Sequence, residues 1–175
     1  GLEQDLQAKA NDDKVVGILN GCVYSSVSDL PAKPPARIQV PEFKQLLSAV
    51  ETALVQWQGH QTQVSGVDMI AFARTQAHWR QAMAEQVPSL LLTSVGRLTD
   101  QKVLLLRHQL PSGLSVLETL LKALKQTKPT ALLILLGSGD ASITKSFQAL
   151  GAKYDNLLFL QGYNEALSEA LYQHG

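Results

Sequence analysis

Ala131-Leu132-Leu133-Ile134-Leu135-Leu136-Gly137-Ser138-Gly139-Asp140 runs six apolar residues without interruption into two glycines and an acid. Apolar residues that run on, instead of alternating with polar ones, mark a strand covered on both faces, as in parallel sheets flanked by helices. The glycines then allow a tight turn, and Asp140 is a good N-cap for a following helix whose inner residues are Ile143, Phe147 and Leu150. Strand, glycine turn and helix thus follow one another within about twenty residues.

The same order recurs on either side. Ser89 to Gly96 reads as another doubly buried strand, ending in Gly96-Arg97, and Leu157-Leu158-Phe159-Leu160 as a third, ending in Gly162-Tyr163 before a helix over Asn164–His174. Leu114, Leu117, Leu120, Leu121 and Leu124 form a helical stripe between the first two. Repeated strand, glycine and helix predict parallel strands joined by crossovers, hence an α/β layered domain.

Further upstream, Phe43, Leu46, Leu47, Val50, Ala53, Leu54 and Trp57 share one face of a helix that opens at Pro41. Gly59 to Gly66 breaks that pattern. Val67 to Val87 reads as a second helix with Ile70, Ala73, Ala77 and Met83 as inner positions. The stretch from Ser25 to Pro41 carries four prolines and reads as an extended connection. Before it, Lys14 to Leu19 is a short apolar run, read as a strand leading into an Asn20-Gly21 turn.

Composition removes several function classes. Fifteen basic residues balance fifteen acidic ones, which leaves no broad positive field to hold a nucleic-acid backbone. The longest apolar runs fall far short of the roughly 18 residues that a membrane-spanning helix needs. Cys22 is the single cysteine, so an intrachain disulfide is excluded, a Cys-based zinc site is unsupported, and a reducing cytoplasm is the expected setting. His60, His78, His108 and His174 lack the paired spacing of a helical metal site, and no metal or other cofactor is expected. Neither a Gly-x-Ser-x-Gly elbow nor a Walker phosphate loop occurs. Gly1 to Ala10 lacks the regions of a secretory signal and reads as a boundary inside a longer protein, as does the end at Gly175.

In open parallel sheets, ligands sit beyond the carboxyl ends of the strands, where loops meet helix N-termini. Four turns lie there: Asn20-Gly21, Gly96 to Lys102, Gly137 to Asp140 and Gly162 to Asn164. Arg97 can offer a diphosphate a forked hydrogen bond and Lys102 a point charge. By spacing alone the favoured reading is a pair of solvated surface charges, one of them bridging to Asp100, since basic pairs in loops are common. Gly137 and Gly139 lack the third glycine of a dinucleotide fingerprint and read as a tight turn or as backbone approach to a nucleotide. Tyr163 can lay its ring on a base or sugar, while Asn164 reads as an N-cap.

Three pieces in this order, Gly17-Ile18-Leu19-Asn20-Gly21, Ser94-Val95-Gly96-Arg97-Leu98-Thr99-Asp100-Gln101-Lys102, and Leu135 to Asp140 followed by Gln161-Gly162-Tyr163-Asn164-Glu165-Ala166, resemble the bacterial glycogen and starch synthases. Arg-Leu-Thr-x-Gln-Lys is the most specific of the three. The resemblance implies part of the C-terminal, Rossmann-like domain of a GT-B glycosyltransferase: a retaining enzyme that moves glucose from ADP-glucose (or UDP-glucose) to the non-reducing end of an α-1,4-glucan. It implies that Arg97 and Lys102 offset the charge of the departing diphosphate, that Asn20 lies near the sugar or phosphate, that Gly137 and Gly139 approach the donor, and that Tyr163 lies against the nucleotide. The family's Lys-Thr-Gly-Gly-Leu and Glu-Pro-x-Gly segments do not occur in this sequence, which implies a fragment inactive by itself, with later strands of its sheet missing and an edge left open. Val23 stands where the family carries aspartate and Asn164 where it carries histidine, and Val103 to Ser112 intervenes where a glycine usually follows the lysine. These departures fit the alternative of a degenerate synthase or a nucleotide-binding module without catalysis.

Overall fold

The computed structural model describes residues 37–59 and 66–174. The expected strand at Lys14 to Leu19, the Asn20-Gly21 turn and most of the proline-rich connection lie outside them. The elements run α1 (Val40–Gly59), α2 (Gly66–Met83), β1 (Leu91–Val95), α3 (Asp100–Arg107), α4 (Val116–Thr127), β2 (Leu132–Gly137), α5 (Ala141–Lys153), β3 (Leu157–Gln161) and α6 (Glu165–His174). The strands form a three-stranded parallel sheet in the order β1-β2-β3, with Leu91 opposite Leu132 and Leu133 opposite Leu157.

The alternation of side chains along β2 builds two cores. Leu132, Ile134 and Leu136 face one way, into a cluster with Leu47, Val50 and Leu54 of α1, Ala71 and Ala82 of α2, and Leu167 and Leu171 of α6. Leu133 and Leu135 face the other way, toward Val103 of α3, Leu117 and Leu121 of α4, and Ile143 and Phe147 of α5. The molecule is therefore a Rossmann-like α/β layer structure with helices on both faces of an open parallel sheet.

Helix ends are satisfied by named groups. Asp140 caps α5 by accepting from the amides of Ser142 and Ile143, and Ser115 caps α4 by accepting from Glu118. At α1, the Glu42 carboxylate accepts from the Gln39 amide at 2.9 Å, one half of a capping box. Pro41 sits in the first turn, where its missing N–H costs nothing. Arg74 of α2 reaches the last carbonyls of α5, donating to Gly151 and Ala152 at 3.2 Å.

Three expectations need correction. In α2 the inner positions are Asp68, Ala71, Thr75 and Ala82, whereas Ile70 and Ala73 are exposed and Met83 is 67% exposed. Small residues let α2 lie close to α1 and β3, and the buried Thr75 hydroxyl donates to the Ala71 carbonyl at 2.8 Å, so its burial leaves no donor stranded. β1 is half-buried along most of its length instead of covered on both faces: β3, equally paired on one edge alone, lies between α2 and α5, whereas among the described residues α6 is the main helix packed on β1. Along α4, Leu117, Leu121 and Leu124 are buried as expected, but Leu120 is partly exposed and Leu114 precedes the helix.

Candidate functional site

The carboxyl ends of the strands are drawn together by main-chain bonds that continue the β1–β2 ladder past its last paired residues. Gly96 donates to Leu136, Leu98 to Ser138 at 2.9 Å and Asp140 to Leu98 at 2.9 Å; Gly162 donates to Gly137 at 3.3 Å. A side chain at Gly137 would run into the Gly96 carbonyl, and one at Gly139 into the Leu98 carbonyl. Both glycines are thus required by the passage of residues 96–98 over the turn, a close approach of chain to chain.

Leu98 is 1% exposed and anchored in the core under α4 and α5. Alternation along an extended segment then turns Arg97 to the opposite side, over α6. There a cleft of about 560 Å³ opens, lined by Val95, Gly96, Arg97, Gly137, Tyr163, Ser168 and Tyr172, among others. That is a size typical of small-molecule sites. A recess between α2, α5 and β3 holds only about 10 Å³, too little for any ligand.

The chain also changes face at this cleft. Helices α3, α4 and α5 pack on one side of the sheet, whereas α6, which follows β3, crosses to the other side and lies against β1. Such a change of face, at the carboxyl ends of the strands, is where open α/β sheets leave a crevice for ligands.

Of the residues singled out by sequence, Arg97, Gly137 and Tyr163 meet in the cleft. Lys102, in the first turn of α3, lines an adjoining recess of about 110 Å³ that also includes Arg97. Gly139 lines neither and is engaged with Leu98. Asn20 lies outside the described residues. Among the described residues neither Arg97 nor Lys102 forms an ion pair; Asp100, which the surface-charge reading paired with one of them, is paired with Arg107. Residues 103–107 continue α3, with Val103 buried in the core, and the loop after it closes through a Gln109–Ser115 bridge. The intervening segment is therefore built into the fold, with Lys102 left exposed on the helix.

Two helix N-termini near the cleft already hold an oxygen of the chain itself. Hydrogen bonds from the Ser142 hydroxyl and the Ile143 and Ser142 amides keep the Asp140 carboxyl below its usual range, so a carboxylate occupies the start of α5. Asn164 Oδ1 accepts from Leu167 at the start of α6. In contrast, Thr99 makes no side-chain cap at α3. An anion entering the cleft would meet Arg97 and, beside it, the start of α3 with Lys102.

Sequence reasoning missed Tyr172, which stands off the buried stripe of α6 formed by Leu167, Ser168 and Leu171 and is 64% exposed. An aromatic off the buried stripe of its helix was the available signal. No local pattern signalled the part played by Trp57, whose indole N–H donates to the Tyr163 carbonyl at 3.2 Å across 106 residues of chain.

Compared with protein-family models and with curated proteins, the sequence matches none. Among the described residues no helix is long and apolar enough to cross a membrane, and no group of three or more His, Cys, Asp or Glu is placed to hold a metal ion.

Proposed function

We propose that this chain is the donor-binding part of a retaining glucosyltransferase akin to the glycogen and starch synthases, a cytoplasmic enzyme that transfers glucose from ADP-glucose to the non-reducing end of an α-1,4-glucan. The observation that carries the proposal is Arg97: a guanidinium of an Arg-Leu-Thr-x-Gln-Lys motif that forms no ion pair among the described residues, in a cleft shared with Gly137 and Tyr163. An arginine that is not neutralised by a neighbouring carboxylate keeps its full charge for a ligand. Its planar fork matches two oxygens of a diphosphate.

In the proposed reaction, negative charge accumulates on the nucleoside diphosphate as the bond to the glucosyl carbon breaks. Arg97 stabilises that charge from the cleft and Lys102 from the adjoining recess, which lowers the barrier because both interactions strengthen as the charge develops. The Tyr163 ring, 72% exposed, gives a flat surface for the base.

Calorimetric titration of the chain with ADP-glucose and ADP tests the proposal. Saturable binding that weakens at least about tenfold in Arg97→Ala, and less in Lys102→Ala, is the expected result. Unchanged binding in Arg97→Ala removes the assigned role. The alternative of nucleotide binding without catalysis draws on Asn164, whose side chain is engaged with Leu167 and Gln56. It is favoured if the intact parent protein binds ADP-glucose yet fails to extend a glucan primer.

A further inference from the structure

The turn Gly162–Asn164, which carries Tyr163 at the cleft mouth, is fastened from behind by the end of a helix more than a hundred residues earlier in the chain. Trp57 Nε1 donates to the Tyr163 carbonyl at 3.2 Å, and Asn164 Nδ2 donates to Gln56 Oε1 at 3.0 Å. The indole lies directly on the turn: a Cβ added to Gly162 would stand 2.6 Å from Trp57 Cε2. Trp57 is also packed against the core that joins α1, α2 and α6, so the clamp has a rigid footing. The Gly162 amide is tied on its other side to the Gly137 carbonyl at 3.3 Å.

We infer that Trp57 and Gln56 are positioning residues that hold the Gly162–Asn164 turn and so aim Tyr163 across the cleft. A tyrosine on an unsupported surface turn would have to be ordered by its ligand, at a cost in conformational entropy for each residue fixed. A turn already held by two side-chain bonds and a stacked indole presents the ring in advance, which is preorganisation in the ordinary sense. Gly162 is part of the same device, since only the absence of a side chain lets the indole approach. The effect on ligand affinity rests on the donor-site reading of the cleft; the effect on the turn does not.

Trp57→Phe keeps an aromatic ring on Gly162 and removes the N–H donor, and Gln56→Leu removes the second bond from an exposed position. Amide hydrogen exchange and NMR order at 162–164 are measured in each variant without ligand, alongside thermal stability. The expected result is faster exchange confined to this turn, with the melting temperature little changed. Unaltered protection at 162–164 in both variants overturns the inference. Should Trp57→Phe unfold the chain, Gln56→Leu alone decides by the same readout.

With ADP-glucose as ligand, a several-fold rise in Kd for both variants, at unchanged stability, supports the positioning role, and an unchanged Kd beside a binding wild type overturns it. A wild type that binds no nucleotide refutes the donor site, while the turn measurement still decides the clamp. Trp79→Phe leaves Trp57 as the single tryptophan. In that background, its fluorescence should shift on saturation with ADP-glucose.

Discussion

At the scale of single residues, two glycines near the cleft have opposite structural duties. A side chain at Gly139 meets the Leu98 carbonyl, which is itself fixed by the bond from the Asp140 amide, so neither partner can give way cheaply. Gly96 has open space around its Cβ position. Gly139→Ala is therefore expected to lower the unfolding free energy by about 2 kcal/mol or more, and Gly96→Ala to stay within about 0.5 kcal/mol of wild type, both read by urea denaturation. Equal costs would show that the passage of residues 96–98 over the turn is misplaced. Asp140 gives a second prediction at this scale. Its carboxyl is held below the ordinary value of 3.8, chiefly by the Ser142 hydroxyl and then by the Ile143 and Ser142 amides. A depressed carboxyl stabilises the fold above its unfolded pKa, and that contribution is lost as pH falls through the folded one. Asp140→Ala should accordingly melt lower than wild type at neutral pH, with the difference closing below about pH 4. A constant gap from pH 7 to pH 2 contradicts the capping role.

At the scale of elements, legibility tracked how completely burial decides a residue's place. β2 and β3 were readable because both of their faces are covered, which leaves hydrophobicity as the dominant requirement. The inner face of α1 was readable because large apolar residues recur at helical spacing. α2 was not, since its inner stripe is made of Asp68, Ala71, Thr75 and Ala82, chosen for size and hydrogen bonding, while the larger Ile70 and Met83 point outward. The half-covered state of β1 depends on which helices lie over it, which no local pattern contains. Around the cleft, Arg97 and Tyr163 were picked out by their turn positions and Tyr172 could have been by its place off the stripe of α6, whereas the contact of Trp57 lies 106 residues along the chain, beyond any local pattern. α2 also carries His78, half-buried with its ring edge-on to Phe43 at 6.2 Å. Burial, the largest influence, holds its pKa below the ordinary 6.5, with Arg74 acting in the same direction and Gln81 and Asp155 opposing. The unfolded chain thus binds this proton more readily, so stability is lost as pH falls from about 6.5 through the folded value. Between pH 7 and pH 5 the wild type should lose more stability than His78→Gln, as measured by urea titrations at each pH; parallel profiles would show that this histidine does not contribute.

At the scale of the whole molecule, the two cores are separate sets of side chains joined by one strand. Leu132, Ile134 and Leu136 belong to the core of α1, α2 and α6, and Leu133 and Leu135 to that of α3, α4 and α5. Because adjacent residues of β2 serve opposite faces, neither core can dissolve while the other keeps its strand in place. Opening one exposes every second side chain of β2 and loosens the ladders to β1 and β3. Cooperative unfolding of both is the consequence. Both tryptophans pack against the first core, Trp57 from α1 and Trp79 from α2, so tryptophan fluorescence reports on that side alone. Phe147 is 1% exposed in the second core, where its ring meets Phe159 edge-on at 6.0 Å. Phe147→Ala removes that ring and leaves a cavity, a loss of about 3–5 kcal/mol. If the sheet couples the two sides, the tryptophan signal should report that full loss, with its melting temperature falling by roughly ten degrees, although no tryptophan touches the altered site. A tryptophan transition that stays where it is in the wild type, while circular dichroism shifts, would mean that the cores melt independently and that β2 is a weaker joint than its burial implies.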